Sequence, residues 1–261
     1  MKWVPVILIF SATVLAVTAW SIAQPPAAPP ATAPVADAKE PETLPEAPKS
    51  DPKSELIPLN KEKTLLLEKL PNGGRRMLVV AEVCLREGQL EVFLCKKNTK
   101  EHEAVVRTEI DARYLHAGLV AAGAKPGKPV QYVNPDTGDA DYKPATGSKI
   151  KVSIHYRRAG QLHTHPAQEW IRDLKTKKPM AHEWVFAGSR FVKNADRPTD
   201  PEYYCANNGE VVGLSNFPDS MLDLPVQISQ DNDALAFEAM TEKIPPLNSK
   251  LWVILEPSDK K

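Results

Sequence analysis

Ten of the chain's 25 prolines fall in the 35 residues from Gln24 to Pro58, beside seven alanines and almost no large apolar side chains. Such a stretch cannot bury enough surface to offset the entropy of ordering it, so any core must be built elsewhere. The chain therefore divides into residues 1–23, a Pro/Ala-rich disordered linker over 24–58, and a globular body over 59–261. The linker is expected to be extended and semi-rigid. The body, about 200 residues, suffices for one sizeable domain.

Residues 1–23 read as a secretory signal. Lys2 supplies a positive start, Val4 to Ala19 is apolar, and Ser21-Ile22-Ala23 is a small-x-small cleavage site. The apolar run falls short of the roughly 20 residues a spanning helix needs. Cleavage near Ala23 is expected, giving an extracytoplasmic protein, periplasmic or secreted, that meets the membrane only through this segment. Lysine plus arginine equals aspartate plus glutamate, 33 against 33. No basic field exists to hold nucleic acid.

Within the body, Val79, Ala81, Val83 and Leu85 alternate with Val80, Glu82, Cys84 and Arg86. After Glu87-Gly88, Leu90, Val92 and Leu94 alternate with Glu91, Phe93 and Cys95. The pattern predicts a β-hairpin with a two-residue turn and Leu85 opposite Leu90. Cys84 and Cys95 then share a face about four residues apart, roughly 13 Å at strand rise. A disulfide tolerates a Cα separation of about 7 Å. No Cys84–Cys95 bond is expected, and any disulfide would use Cys205. Three cysteines without a C-x-x-C pair do not make an iron–sulfur or four-thiolate zinc site.

His102 to Arg107 reads as a further strand. A helix from about Ala112 to Ala122 follows, with Thr108 and Asp111 as alternative N-caps and Gly123 suited to the left-handed C′ position. Val130–Val133, Lys149–Tyr156, Glu183–Phe191, Tyr203–Leu214, Ala234–Ala239 and Leu251–Glu256 read as strands. Pro166–Leu174 reads as a short helix on the spacing of Ala167, Trp170, Ile171 and Leu174. The expected class is α+β, mainly antiparallel sheet with one buried helix and a second short helix.

The segments "LREGQLEVFLCKKNTKEHEAVV", "ARYLHAGLVAAGAKPGKPV", "YKPATGSKIKV", "AQEWIRDLKTKK", "WVFAGSRF", "VVGLSNFPDSMLDLP" and "IPPLNSKLWVILEP" resemble the YdjY-like domain of exported bacterial proteins, in order from Leu85 to Pro257. The resemblance implies a domain over the body and no particular reaction.

Four constellations could carry chemistry. His102 and Glu103, with Arg113 and His116, could form a binding site where a strand end meets the helix, a carboxylate setting the imidazole tautomer. The alternative is an ion-pair lock between loop and helix. His155, His163 and His165 fall on one face if Arg158-Ala159-Gly160 turns the chain with His155 opposite His163. Three imidazoles so placed could hold zinc or copper, although Lys149, Lys151 and Arg157 share that face. Asn134, Asp136, Asp139 and Asp141 form an acidic loop that misses the EF-hand spacing. Asp219 and Asp223 could be a hydrolytic carboxylate pair, with a capped turn as the alternative.

No catalytic set converges in the sequence, and no cofactor is identified. The leading reading is a non-catalytic binding or scaffolding module on a proline-rich tether, its partner an envelope protein or polymer. The alternative is a metal-binding or redox accessory protein using His155, His163 and His165.

Overall fold

The computed structural model describes residues 40–133, 138, 140–193, 199–228 and 235–258. The strands come in chain order as β1 (Glu55–Pro58), β2 (Leu65–Lys69), β3 (Arg75–Val83), β4 (Val92–Lys96) and β5 (Ala104–Thr108). Helix α1 (Ala112–Ala121) precedes β6 (Gln131–Val133), β7 (Ala140–Lys143), β8 (Lys149–Arg158), β9 (Gln161–Pro166) and β10 (Ile171–Asp173). Then come β11 (Trp184–Phe186), β12 (Phe191–Val192), β13 (Tyr203–Tyr204), β14 (Val212–Gly213), β15 (Leu222–Asp223), β16 (Phe237–Ala239) and β17 (Lys250–Pro257).

Eight strands close on themselves in the order β3-β17-β8-β11-β15-β14-β4-β5, and the β3–β5 pairing shuts the ring. The fold is therefore mostly β, a closed barrel, and the α+β expectation is overturned. Closure removes the open edges that an ordinary sheet would have to protect. The sheet is also not uniformly antiparallel, because β4–β5 and β14–β15 pair parallel. Among the described residues α1 is the one α-helix. The second helix expected over Pro166–Leu174 is a 3-10 turn, Ala167–Trp170, running into β10. That turn buries Ala167 and Trp170, which satisfies the same apolar spacing.

The inward faces of β3, β8 and β17 fill the barrel: Met77, Val79, Ala81, Val152, Ile154, Leu251 and Val253 are buried in one cluster. Asp111 caps α1 by accepting from the backbone N–H of Arg113, at 2.9 Å. Gly123 follows with φ +98°, where a Cβ would be strained. The helix packs against β3 through Gly118, whose missing Cβ would lie 2.3 Å from the Met77 sulfur.

The predicted hairpin over Met77–Cys95 does not form. β5 lies between β3 and β4, pairing with both. The segment meant as its turn is held instead by β16: Leu90 N–H donates to Phe237 O and Ala239 N–H to Gly88 O. Alternation reports which residues face the core but not which strand lies alongside.

Residues 40–58, expected within the linker, are packed on the body. From Glu40 the chain lies along the outer wall, and Glu55–Pro58 joins β2 as a strand. Trp252 Nε1 donates to Pro45 O at 3.0 Å, and Lys250 N–H donates to Glu42 O. This arm covers an apolar patch of Leu66, Leu78, Trp252 and Ile254, with Ala47 and Leu56 packed on it. Beneath it the fully buried Glu68 accepts from Ser50, Ser54 and Arg76. Burial would raise its carboxyl, and these bonds outweigh burial and hold it below the usual range. Proline leaves few backbone N–H groups to satisfy, so the arm is anchored through carbonyls and flanking side chains. The expected signal segment and the linker residues before Glu40 lie outside the described residues, as do Asn134, Asp136 and Asp139 of the acidic loop; Asp141 pairs with Lys143 at 3.0 Å.

Candidate functional site

β3 changes partners partway along its length. Leu78 and Val79 pair with β2, whereas Glu82 and Val83 pair with β5. On the other side β17 runs unbroken from Met77 to Glu82. Between the diverging strands a notch of about 340 Å³ opens at Val80–Glu82. Val80 N–H donates to Thr64 O, and the Thr108 hydroxyl donates to Val80 O at 2.9 Å, so the β3 backbone there is already satisfied.

Side chains therefore give the notch its character. Val80 and Ile110 supply an apolar floor, and Lys97, Arg107 and Lys250 face Glu62, Glu82 and Glu109 around it. Lys97 pairs with Glu109 at 2.5 Å and Arg107 with Glu82. The Glu82 bond raises the Arg107 guanidinium above its ordinary range, so Arg107 stays charged. Its Nε is buried and has no hydrogen-bond partner among the described residues. Its terminal nitrogens also meet Glu101 at 3.8 Å and Asn248 Oδ1 at 3.3 Å, and a guanidinium so placed suits an acceptor such as a carboxylate. None of these residues was singled out by the sequence motifs. The available signal was that Glu82 and Arg107 are charged positions inside apolar strands, which an outward face explains equally well.

The residues singled out from sequence lie outside the notch, and of His102, Glu103, Arg113 and His116 only the first two are paired with each other. His102 and Glu103 precede β5 in a turn rather than sharing a strand. Glu103 turns inward to Lys100 Nζ at 2.8 Å, while the His102 side chain is 77% exposed. Lys100 also meets Glu91 at 2.8 Å and Glu210 at 3.5 Å and lies over the Phe217 ring. Burial raises the carboxyls of Glu91 and Glu210, and the three carboxylates in turn hold Lys100 above its ordinary range despite its own burial. Arg113 is spent on Asp111, its own helix cap, at 2.8 Å. His116 sits against Phe186 and Tyr204, its Nδ1 2.9 Å from the Tyr204 hydroxyl, which donates to Gly188 O. Burial lowers its pKa, and because the Tyr204 proton goes to Gly188 O, Nδ1 is the donor to that hydroxyl. His102 Nε2 still lies 3.7 Å from Glu103 Oε2, while Arg113 and His116 each have partners of their own.

The three-histidine face is not assembled. The turn is the two-residue Ala159-Gly160, both at positive φ, which places Arg158 opposite Gln161 and His155 opposite Thr164. One residue of slip sends His155 to the face opposite His163 and His165. His155 Nδ1 meets the Thr164 hydroxyl at 2.7 Å. His163 stacks on Tyr156, and His165 pairs with Glu169 at 3.3 Å. Among the described residues no group of three or more His, Cys, Asp and Glu side chains is placed to hold a metal ion.

Asp219 and Asp223 likewise part company. Asp219 is taken by Arg190. Asp223 is fully buried, accepting from Leu224 N–H at 2.8 Å and from Asn216 Nδ2, with Oδ2 unpartnered; burial raises its pKa to about 7.

The family model described as the YdjY domain matches residues 75–256, a span that includes seven of the eight barrel strands complete and β17 up to Glu256. The chain matches no curated protein and no solved structure.

Proposed function

From the premise that this chain belongs to the YdjY domain family, we propose that it is an exported binding module whose notch at Val80–Glu82 takes an acidic, partly apolar segment of an envelope protein or polymer. One observation carries the reading: Arg107, held charged by Glu82, lines the notch beside Lys97 and Lys250. A ligand carboxylate is drawn to the side of the notch that Arg107 and Lys250 line, while an apolar part rests on Val80 and Ile110. The apolar leader and the small-x-small site at Ser21-Ile22-Ala23 support export. The proline-rich residues ahead of Glu40 then act as the tether.

The test is a residue-resolved NMR titration of the full chain with short acidic peptides and with cell-wall fragments. Saturable shifts at Thr64, Val80–Glu82 and Thr108, lost in Arg107→Ala, are expected. Shifts that are absent, or that persist unchanged in Arg107→Ala, would remove the notch as the site.

A further inference from the structure

The arm that crosses the outer wall touches it with a period of three. Glu42 O accepts from Lys250 N–H at 2.9 Å, Pro45 O from Trp252 Nε1 at 3.0 Å and Pro48 O from a terminal Arg76 nitrogen at 3.2 Å. Pro45 is buried and Glu42 and Pro48 are half-buried, whereas Pro41, Thr43, Leu44, Glu46 and Lys49 are exposed. A polyproline II helix has three residues per turn and no internal hydrogen bonds, so every third carbonyl points to one side. Proline fixes φ at Pro41, Pro45 and Pro48, and the residue before each is pushed to the same extended region, which adds Glu40, Leu44 and Ala47. None of residues 40–49 belongs to a helix or strand.

The wall beneath repeats to match. β17 pairs with β3 from Lys250 opposite Glu82 to Leu255 opposite Met77, and Arg76 is the next residue along β3. From Lys250 to the level of Arg76 is six residues of β17, roughly 20 Å at strand rise. From Glu42 to Pro48 is also six residues, about 19 Å at the polyproline II rise. A backbone, an indole and a guanidinium donor thus stand where the carbonyls of such a helix fall. Between them Leu66, Leu78, Trp252 and Ile254 make an apolar floor on which Ala47 rests. A groove with an aromatic ring that donates from its polar edge is the kind of surface on which proline-rich segments dock.

We propose that this outer-wall groove is a receptor for polyproline II segments of the form Glu-x-x-Pro-x-x-Pro, filled in cis by the arm and taken in trans by a proline-rich segment of another protein. The three donors reach main-chain carbonyls, which any such segment presents whatever its side chains. Two features read sequence: the Glu42 carboxylate accepts from Ala159 N–H at 2.8 Å, and Pro45 is the residue enclosed. Ser50 and Ser54 hold the following turn to Glu68, so Glu42–Pro48 can leave while that buried carboxylate keeps its partners. Exchange of arms with a second copy would gain no contact that the cis form lacks and would cost the entropy of association, so a separate partner is the occupant. The short connection to β1 puts the arm at an effective concentration of order millimolar. A partner therefore displaces it only when its own segment is presented at a comparable concentration.

Residue-resolved NMR of the full chain reads the Trp252 indole N–H and the Lys250 amide. In the chain carrying Pro45→Gly and Pro48→Gly the arm loses its preset φ, and about tenfold more detached arm is expected, seen as movement of both signals. A synthetic peptide of residues 40–50 added to that chain should return them, and the same peptide carrying both glycines should not. On the unaltered chain the peptide should act only at roughly millimolar concentration. Adding Trp252→Phe keeps an apolar floor, removes the indole donor and should weaken the peptide roughly fivefold, read at Lys250. If the double variant does not fold, Pro48→Gly alone, at the half-buried end, is read in the same way. Signals that stay in place in the glycine chain, failure of the peptide to return them, or equal return by the glycine peptide overturns the groove. A dimer of the unaltered chain in sedimentation overturns the separate partner, because a second copy's arm would then be the occupant.

Discussion

Asp223 offers a measurable consequence of burying a carboxyl with only part of its hydrogen-bonding capacity met. Its Oδ1 accepts from Leu224 N–H and Asn216 Nδ2, while Oδ2 has no partner among the described residues. Tyr132 and Tyr142 are the titratable groups beside it; both stand above their ordinary range, Tyr132 at about 12, and stay neutral. Burial raises the folded-state pKa of Asp223 from 3.8 to about 7. The unfolded chain therefore loses its proton first as pH rises, and unfolding is progressively favoured between those two values. The stabilisation is fully present below about pH 4 and is lost as pH climbs through about 7, at ~1.4 kcal/mol per pH unit. Over the window this amounts to ~4 kcal/mol, a large part of the ~5–15 kcal/mol that holds a typical domain folded. Asp223→Asn keeps the Oδ1 acceptor and cannot ionise. Its amide nitrogen replaces an unpartnered oxygen, a cost of roughly 1–3 kcal/mol that does not vary with pH. Urea unfolding of both proteins at a series of pH values isolates the carboxyl, because contributions from other groups cancel in the difference. The variant should gain on the unaltered chain by ~4 kcal/mol between about pH 4 and about pH 7.5. A difference constant to within ~1 kcal/mol over that range would show that Asp223 titrates normally and that water or a counter-charge reaches it.

Three further outcomes are expected. Deleting residues 40–54 exposes Trp252 and Leu66 and strips Ser50 and Ser54 from the buried Glu68; a loss of at least ~3 kcal/mol in urea unfolding is expected, and no change would restore the picture of an unattached linker. Lys100→Met leaves Glu91, Glu103 and Glu210 without their shared cation. That should cost ~3 kcal/mol near pH 8 and recover as acid neutralises the carboxyls, so a pH-independent cost would contradict the cluster. Gly147→Ala places a Cβ 2.1 Å from Phe186 O at φ +135°, and a drop in melting temperature exceeding that of an ordinary surface substitution is expected.

The resemblance quoted from Leu85 to Pro257 and the matched family span agree on where the domain lies, and several elements were legible residue by residue. The apolar alternation that marks Val79, Ala81 and Val83 reappears as the inward face of β3, and Leu251–Glu256 as β17. Asp111 and Gly123 bound α1 as their side-chain chemistry requires. These are local effects: a cap, a left-handed turn and the contrast between a wet and a dry face act within a few residues of chain. Partner choice was not legible. β5 separates two strands that read as a hairpin, a two-residue turn moves His155 off the face of His163 and His165, and the arm from Glu40 lies on Trp252 rather than in solvent. Each depends on residues far apart in the chain competing for the same backbone donors and apolar surface. Local propensity barely separates those options, and closing the barrel decides among them. The notch exists only because β3 loses β2 before it gains β5, so its lining from Asn60 to Lys250 is a product of tertiary packing.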